Sequence, residues 1–173
     1  MNRSMVSVAL ATAGLLLIPL LAMQYTDEVA WGPGDFVIAG ALLFGAGFTY
    51  QRVARKGANT AYRVAAGIAV AAALVLVWMN LAVGLIGSED NPANLMYAGV
   101  LAVGIVGALI ARLRPLGMAR AMFAAAAVQA LVAVIALIGG LGQPWSGALE
   151  IVLLNALFVA LFAGSGWLFR RAT

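Results

Sequence analysis

Cysteine and histidine are both absent from this 173-residue chain. Without thiols there is no disulfide and no thiolate nucleophile, and cysteine usage says nothing about the redox compartment. Without imidazole the commonest metal ligand and the commonest general base are missing. Charge is scarce too, at 9% of residues, where an average globular chain carries about a quarter. A water-soluble domain is excluded on that ground. The expectation is a protein with no catalytic residues and no cofactor, and not an enzyme.

What the chain has instead is apolar length. Hydrophobic residues make up 65% of it, and the mean hydropathy is +1.05. A bilayer core of about 30 Å takes roughly 20 apolar residues per helical crossing, and six such runs are separated by short polar breaks. They predict spans near 5–23, 36–53, 61–86, 95–113, 121–141 and 149–169. The expected fold is all-α: a polytopic six-transmembrane-helix bundle forming a single integral membrane domain over 1–173. The opening Met-Asn-Arg followed by an apolar run has the outline of a secretory signal. No small-x-small cleavage pattern follows it, so it is read as an uncleaved first helix.

Alternate crossings put alternate loops on opposite sides, and the charges divide accordingly. If both termini are cytoplasmic, all ten basic residues fall inside: Arg3, then Arg52, Arg55, Lys56 and Arg63, then Arg112, Arg114 and Arg120, and finally Arg170 and Arg171. All six acids, Asp27, Glu28, Asp35, Glu89, Asp90 and Glu150, then fall outside. Lys and Arg in short loops are what set orientation, so the expected place is a bacterial inner (cell) membrane with cytoplasmic ends. The basic pI of 10.1 does not point to nucleic acid, because the cations form separate short clusters that suit anionic lipid headgroups. The expected partners are the lipid bilayer and a membrane-protein partner or a second copy.

Small residues recur at helical spacing: Ala65, Ala69 and Ala73, then Gly104 and Ala108, then Ala156, Ala160 and Gly164. In lipid such stripes let helix backbones approach closely, within one bundle or across a dimer seam. A second pattern joins two span ends, GAGFTYQR at 45–52 and GSGWLFRR at 164–171. Either a hairpin has been duplicated, or both spans have acquired the interface aromatics and terminal arginines common at membrane boundaries.

The largest interruption is GSEDNPAN after the third run. Gly87 suits a helix end at positive φ, Asn91 an N-cap and Pro92 the first helical position. Most of the break therefore reads as a tight helical turn. Its surplus oxygen marks Glu89, Asp90 and Asn91 as an outer patch for a hard cation such as Ca²⁺ or Mg²⁺. Inside the spans the candidate polar residues are Asn80, Gln129 and Asn155, with Thr12 and Thr49 easily satisfied by their own helix backbones. Asn80 and Asn155 each lie about 10 Å deep and are expected to come face to face, as packing glue or as the lining of a substrate cavity. No ionisable group occupies a span interior, which disfavours coupled transport.

The stretch NLAVGLIGSEDNPANLMY, residues 80–97, resembles a group of short bacterial multi-pass membrane proteins in which a Gly-x-Glu-x-Asn-Pro-Ala-Asn-Leu-Met-Tyr-like break recurs. The resemblance implies six helices and a deliberate break, and it carries no activity. The function expected is that of an accessory or structural component of a membrane assembly. The alternative is a small transporter or channel for an ion or small solute, with its pathway near Asn80, Gln129 and Asn155.

Overall fold

The computed structural model of the chain describes residues 3–26, 29–57 and 59–173. Asp27 and Glu28, expected in the first outer loop, lie outside the described residues. Every regular element among those described is helical: α1 (Arg3–Tyr25), α2 (Pro33–Ala54), α3 (Thr60–Ala82), α4 (Met96–Ile110), α5 (Pro115–Ile138) and α6 (Ala148–Arg171), with a 3-10 turn at Pro92–Leu95 leading into α4. All six are long and apolar enough to cross a membrane, the fourth when counted from Pro92. A helix of 22 residues such as α2 rises about 33 Å, close to the thickness of a bilayer core.

Two boundaries differ most from the predicted spans, each for a local reason, and α4 also stops at Ile110, before Arg112 and Leu113 take positive φ. The third run is apolar to Ile86, but α3 stops at Ala82. Gly84, with φ of +72°, donates its N–H back to Met79 O at 2.9 Å, and this six-residue closure ends the helix. Leu85 and Ile86 then turn inward and are fully enclosed. The fifth helix begins at Pro115 rather than near 121. Proline's fixed φ and missing N–H suit the first helical position, so Arg120 lies within α5 rather than before it.

The chain divides into two compact units, Met1–Arg52 and Val53–Thr173. In the first, α1 and α2 form an antiparallel hairpin, with Gln51 Nε2 donating to Ser4 O at 2.8 Å. Gly47 makes their approach possible, since a Cβ there would lie 2.8 Å from Val8 Cγ1. Asp35 sits in the first turn of α2 and accepts from Gly32 N at 2.8 Å.

In the second unit α6 packs against both α3 and α5, and α5 packs against α4. The enclosed core is built from Tyr62, Ala65 and Leu76 of α3, Tyr97 and Val100 of α4, Met122 and Val132 of α5, and Phe158, Phe162 and Phe169 of α6. The opposite faces are apolar and open, with Ile110, Ile138 and Leu149 among the most exposed side chains. Such an arrangement suits lipid, where an apolar exterior costs nothing and backbone groups must be satisfied within each helix.

Both ends of this unit are tied by hydrogen bonds. At the basic end, Asn59 caps α3 through Tyr62 N (2.9 Å) and donates to Ala172 O (3.2 Å). The Tyr62 hydroxyl donates to Leu113 O at 2.7 Å, and its ring meets Phe169 edge-on at 5.0 Å. One helical turn back along α6 from Phe169, Ser165 Oγ donates to Ala65 O at 2.9 Å. The start of α3, the end of α4 and the end of α6 thus converge, so the helices run alternately up and down.

Candidate functional site

Two polar constructions stand out in the second unit: a cluster among the helices and the break at its acidic end. The cluster centres on one atom. Asn155 Oδ1, on α6, accepts from Tyr97 Oη of α4 at 3.0 Å and from Gln129 Nε2 of α5 at 2.9 Å. Asn155 Nδ2 completes its bonding on Ile151 O of its own helix at 2.8 Å. Tyr97 and Asn155 are 1% exposed and Gln129 is 0% exposed, so three helices are pinned at a point closed to the outside.

Asn80 is placed differently from the expected face-to-face pair with Asn155. Its Nδ2 donates to Leu76 O one turn back on α3 at 2.8 Å, while Asn155 turns to Tyr97 and Gln129. The reason lies in packing order. α6 lies beside α5 as well as α3, and equal depth fixes the level of a side chain but not the neighbour it faces. Two oxygens in this region, Asn80 Oδ1 and Gln129 Oε1, are enclosed and have no hydrogen-bond partner among the described residues. Both are acceptors, so what would suit them is a donor or a cation.

In the break, the residue that organises the backbone is Asn94. Its Oδ1 accepts from Leu85 N and Ile86 N, both at 3.0 Å, and its Nδ2 donates to Ile86 O (3.2 Å) and Ser88 O (2.8 Å). Asn91 acts as the expected cap, accepting from Ala93 N at 3.0 Å ahead of Pro92. It also reaches across to Leu141 O at 2.7 Å. Ser146 makes a second tie to the same neighbouring loop: its Oγ accepts from Gly87 N at 3.2 Å and donates to Gly87 O at 3.4 Å. Gly87 does have positive φ, +72°, but it lies beyond the helix end and serves this inter-loop contact.

For the proposed cation patch, Glu89 and Asp90 are exposed, and the Asn91 side chain already bonds at both of its ends. No group of three or more His, Cys, Asp or Glu positioned to hold a metal ion occurs among the described residues. The remaining acid of this unit, Glu150, opens α6, where it complements the positive end of the helix dipole.

The two Gly-x-Gly segments take up matching local geometry. Each lies at the end of its helix, and the Arg at the eighth position stacks on the aromatic ring at the fourth: Arg52 over Phe48 at 4.9 Å, Arg171 over Trp167 at 3.7 Å. The third-position glycine faces a neighbour in both, Val8 for Gly47 and Ala119 O with Phe123 for Gly166. An i, i+4 pair on a helix surface produces the stacking by itself, so the likeness fits duplication and shared boundary chemistry equally.

Tyr97 and Ser146 were not among the candidates from sequence, and Asn94 counted there only as one of the polar residues crowding the break. The available signal was the crowding of Asn91, Asn94 and Tyr97 within two helical turns. Six helices of membrane-spanning length and hydrophobicity mark the chain as a multi-pass, all-helical membrane protein. No family model matches it, and neither a curated protein nor a solved structure does. The resemblance seen in residues 80–97 therefore rests on that motif alone.

Proposed function

We propose that the chain is a non-catalytic component of a bacterial inner membrane, with cytoplasmic termini, acting as an accessory or structural part of a membrane assembly. The observation that carries this reading is the bonding of Gln129 and Tyr97 to Asn155. Gln129 and Asn155 are enclosed and meet at a single oxygen, together with Tyr97. Interhelical amide bonds of this kind hold bundles together, whereas a solute pathway needs its polar groups wetted. The lipid-facing helix surfaces and the end loops are then the parts free to meet a partner.

A second reading, a pathway for an ion or small solute near Asn80, Gln129 and Asn155, draws on the two enclosed oxygens without a donor. Water access separates the two. A cysteine at position 129, in a chain that has none, is expected to resist a small water-borne thiol reagent in intact vesicles. Reaction there at the rate of a loop cysteine at position 90 would overturn the structural reading and favour the pathway. Co-purification in mild detergent then asks which membrane protein travels with the chain.

A further inference from the structure

A groove of about 690 Å³ runs between α4 and α5 and is lined by Val106, Ile110, Gly117, Arg120 and Ala124, among others. Its floor is bare because the helices nearly touch: a Cβ on Gly107 would lie 2.6 Å from Ala121 Cβ. The walls are hydrocarbon along most of their length, and the exception is Arg120. This residue is the sixth of α5, about 7.5 Å along the helix from its start. Its guanidinium is exposed and has no hydrogen bond or ion pair among the described residues.

An arginine inside a membrane-spanning helix is costly unless it reaches a counter-charge or the interface. Within this unit no Asp or Glu side chain lies at its end. Glu89 and Asp90 follow the end of α3 and Glu150 opens α6, at the end opposite the α4–α5 turn. The other charged side chains of that turn, Arg112 and Arg114, are also cations. An apolar groove lined at one end by the Arg120 guanidinium, with two more arginines in the adjoining turn, matches one occupant in charge and apolar character. That occupant is an anionic phospholipid, with an acyl chain along the groove and its phosphate on the guanidinium fork.

We propose that the α4–α5 groove is a selective site for an anionic phospholipid, held at its headgroup by Arg120 with Arg112 and Arg114 beside it. The assignment is independent of the accessory role proposed above. The test is native mass spectrometry of the full chain released from nanodiscs of phosphatidylglycerol and phosphatidylcholine in equal amounts. The parent is expected to retain phosphatidylglycerol preferentially. Arg120→Gln should lower that preference about fivefold, the factor expected for one basic residue near an anionic headgroup.

Ala124→Leu fills the groove and leaves every charge in place, so it should reduce retention of both lipids. Arg171→Gln, at the same end of the unit but stacked on Trp167, should leave the preference unchanged. Equal retention of the two lipids by the parent would overturn the proposal. So would an Arg171→Gln loss as large as that of Arg120→Gln, which would mean diffuse attraction to the basic end. Efficient disulfide formation between two copies carrying Val106→Cys would overturn it as well, by making the groove a protein seam.

Discussion

Gly84 and Gly87 both have φ of +72°, but the space around them differs. A Cβ on Gly84 would lie 2.6 Å from the Ser88 carbonyl carbon and 2.8 Å from Asn94 Nδ2. Backbone on one side and a fully bonded amide on the other leave neither neighbour room to move. At Gly87 the nearest atom is Asn91 Nδ2 at 2.7 Å, the end of a side chain that can shift at the expense of its bond to Leu141 O, with no backbone atom as close as at Gly84. Each position has a cost of about 1–3 kcal/mol for a non-glycine residue held in a sparse backbone region, and a β-branched residue is the worst fit. Gly84→Val is therefore expected to lower the melting temperature in detergent more than Gly87→Val. Glu89→Gln with Asp90→Asn, which keeps the loop shape, should melt with the parent. Melting curves of the three variants decide this, and a Gly87→Val protein less stable than Gly84→Val would refute the ranking.

The interhelical cluster makes a claim at the level of elements. Asn155→Leu removes an acceptor shared by two donors, leaving Tyr97 Oη and Gln129 Nε2 unpaired in an enclosed site. Gln129→Leu removes one bond together with an oxygen that has no partner, so the loss is partly offset. Amide bonds between helices in membranes are worth on the order of 1 kcal/mol. The expected order of destabilisation is Asn155→Leu first, then Gln129→Leu, with Asn80→Leu least affected because its amide bonds only its own helix. A double-mutant cycle on positions 129 and 155 should give a positive coupling of about 0.5–1.5 kcal/mol. Strict additivity would show that the two amides do not act together.

Over the whole molecule, the clean separation of charge supports the proposed orientation. Single cysteines at Lys56 and Arg114 are expected to be shielded from a membrane-impermeant reagent in intact cells, and those at Asp90 and Trp145 to react. The second unit already has the internal geometry this requires. Tyr62 and Leu113 meet at one end, and Gly87 and Ser146 meet at the other. Labelling at 56 without labelling at 90 would invert the assignment. The same cysteines read in Arg120→Gln would show whether the groove arginine also contributes to orientation; with the other cations of the α4–α5 turn still present, labelling is expected to be unchanged.

Composition and the spacing of polar breaks were enough to specify six apolar helices, because in a bilayer the length of an apolar run is itself the structural constraint. The cap at Asn91 and Pro92 was also legible, since it depends on atoms a few residues apart. The end of α3 was not. The run stays apolar to Ile86, and only the tertiary contacts that enclose Leu85 and Ile86 make leaving the helix at Gly84 favourable. Asn155 likewise showed its depth in sequence but not its partners. Depth follows from counting along one helix, while the neighbour a side chain meets depends on which helices pack together, and α6 beside α5 brought Gln129 and Tyr97 to it. The α4–α5 groove belongs to the same category, because an unpaired arginine and a pair of small residues become one feature only when two helices lie side by side.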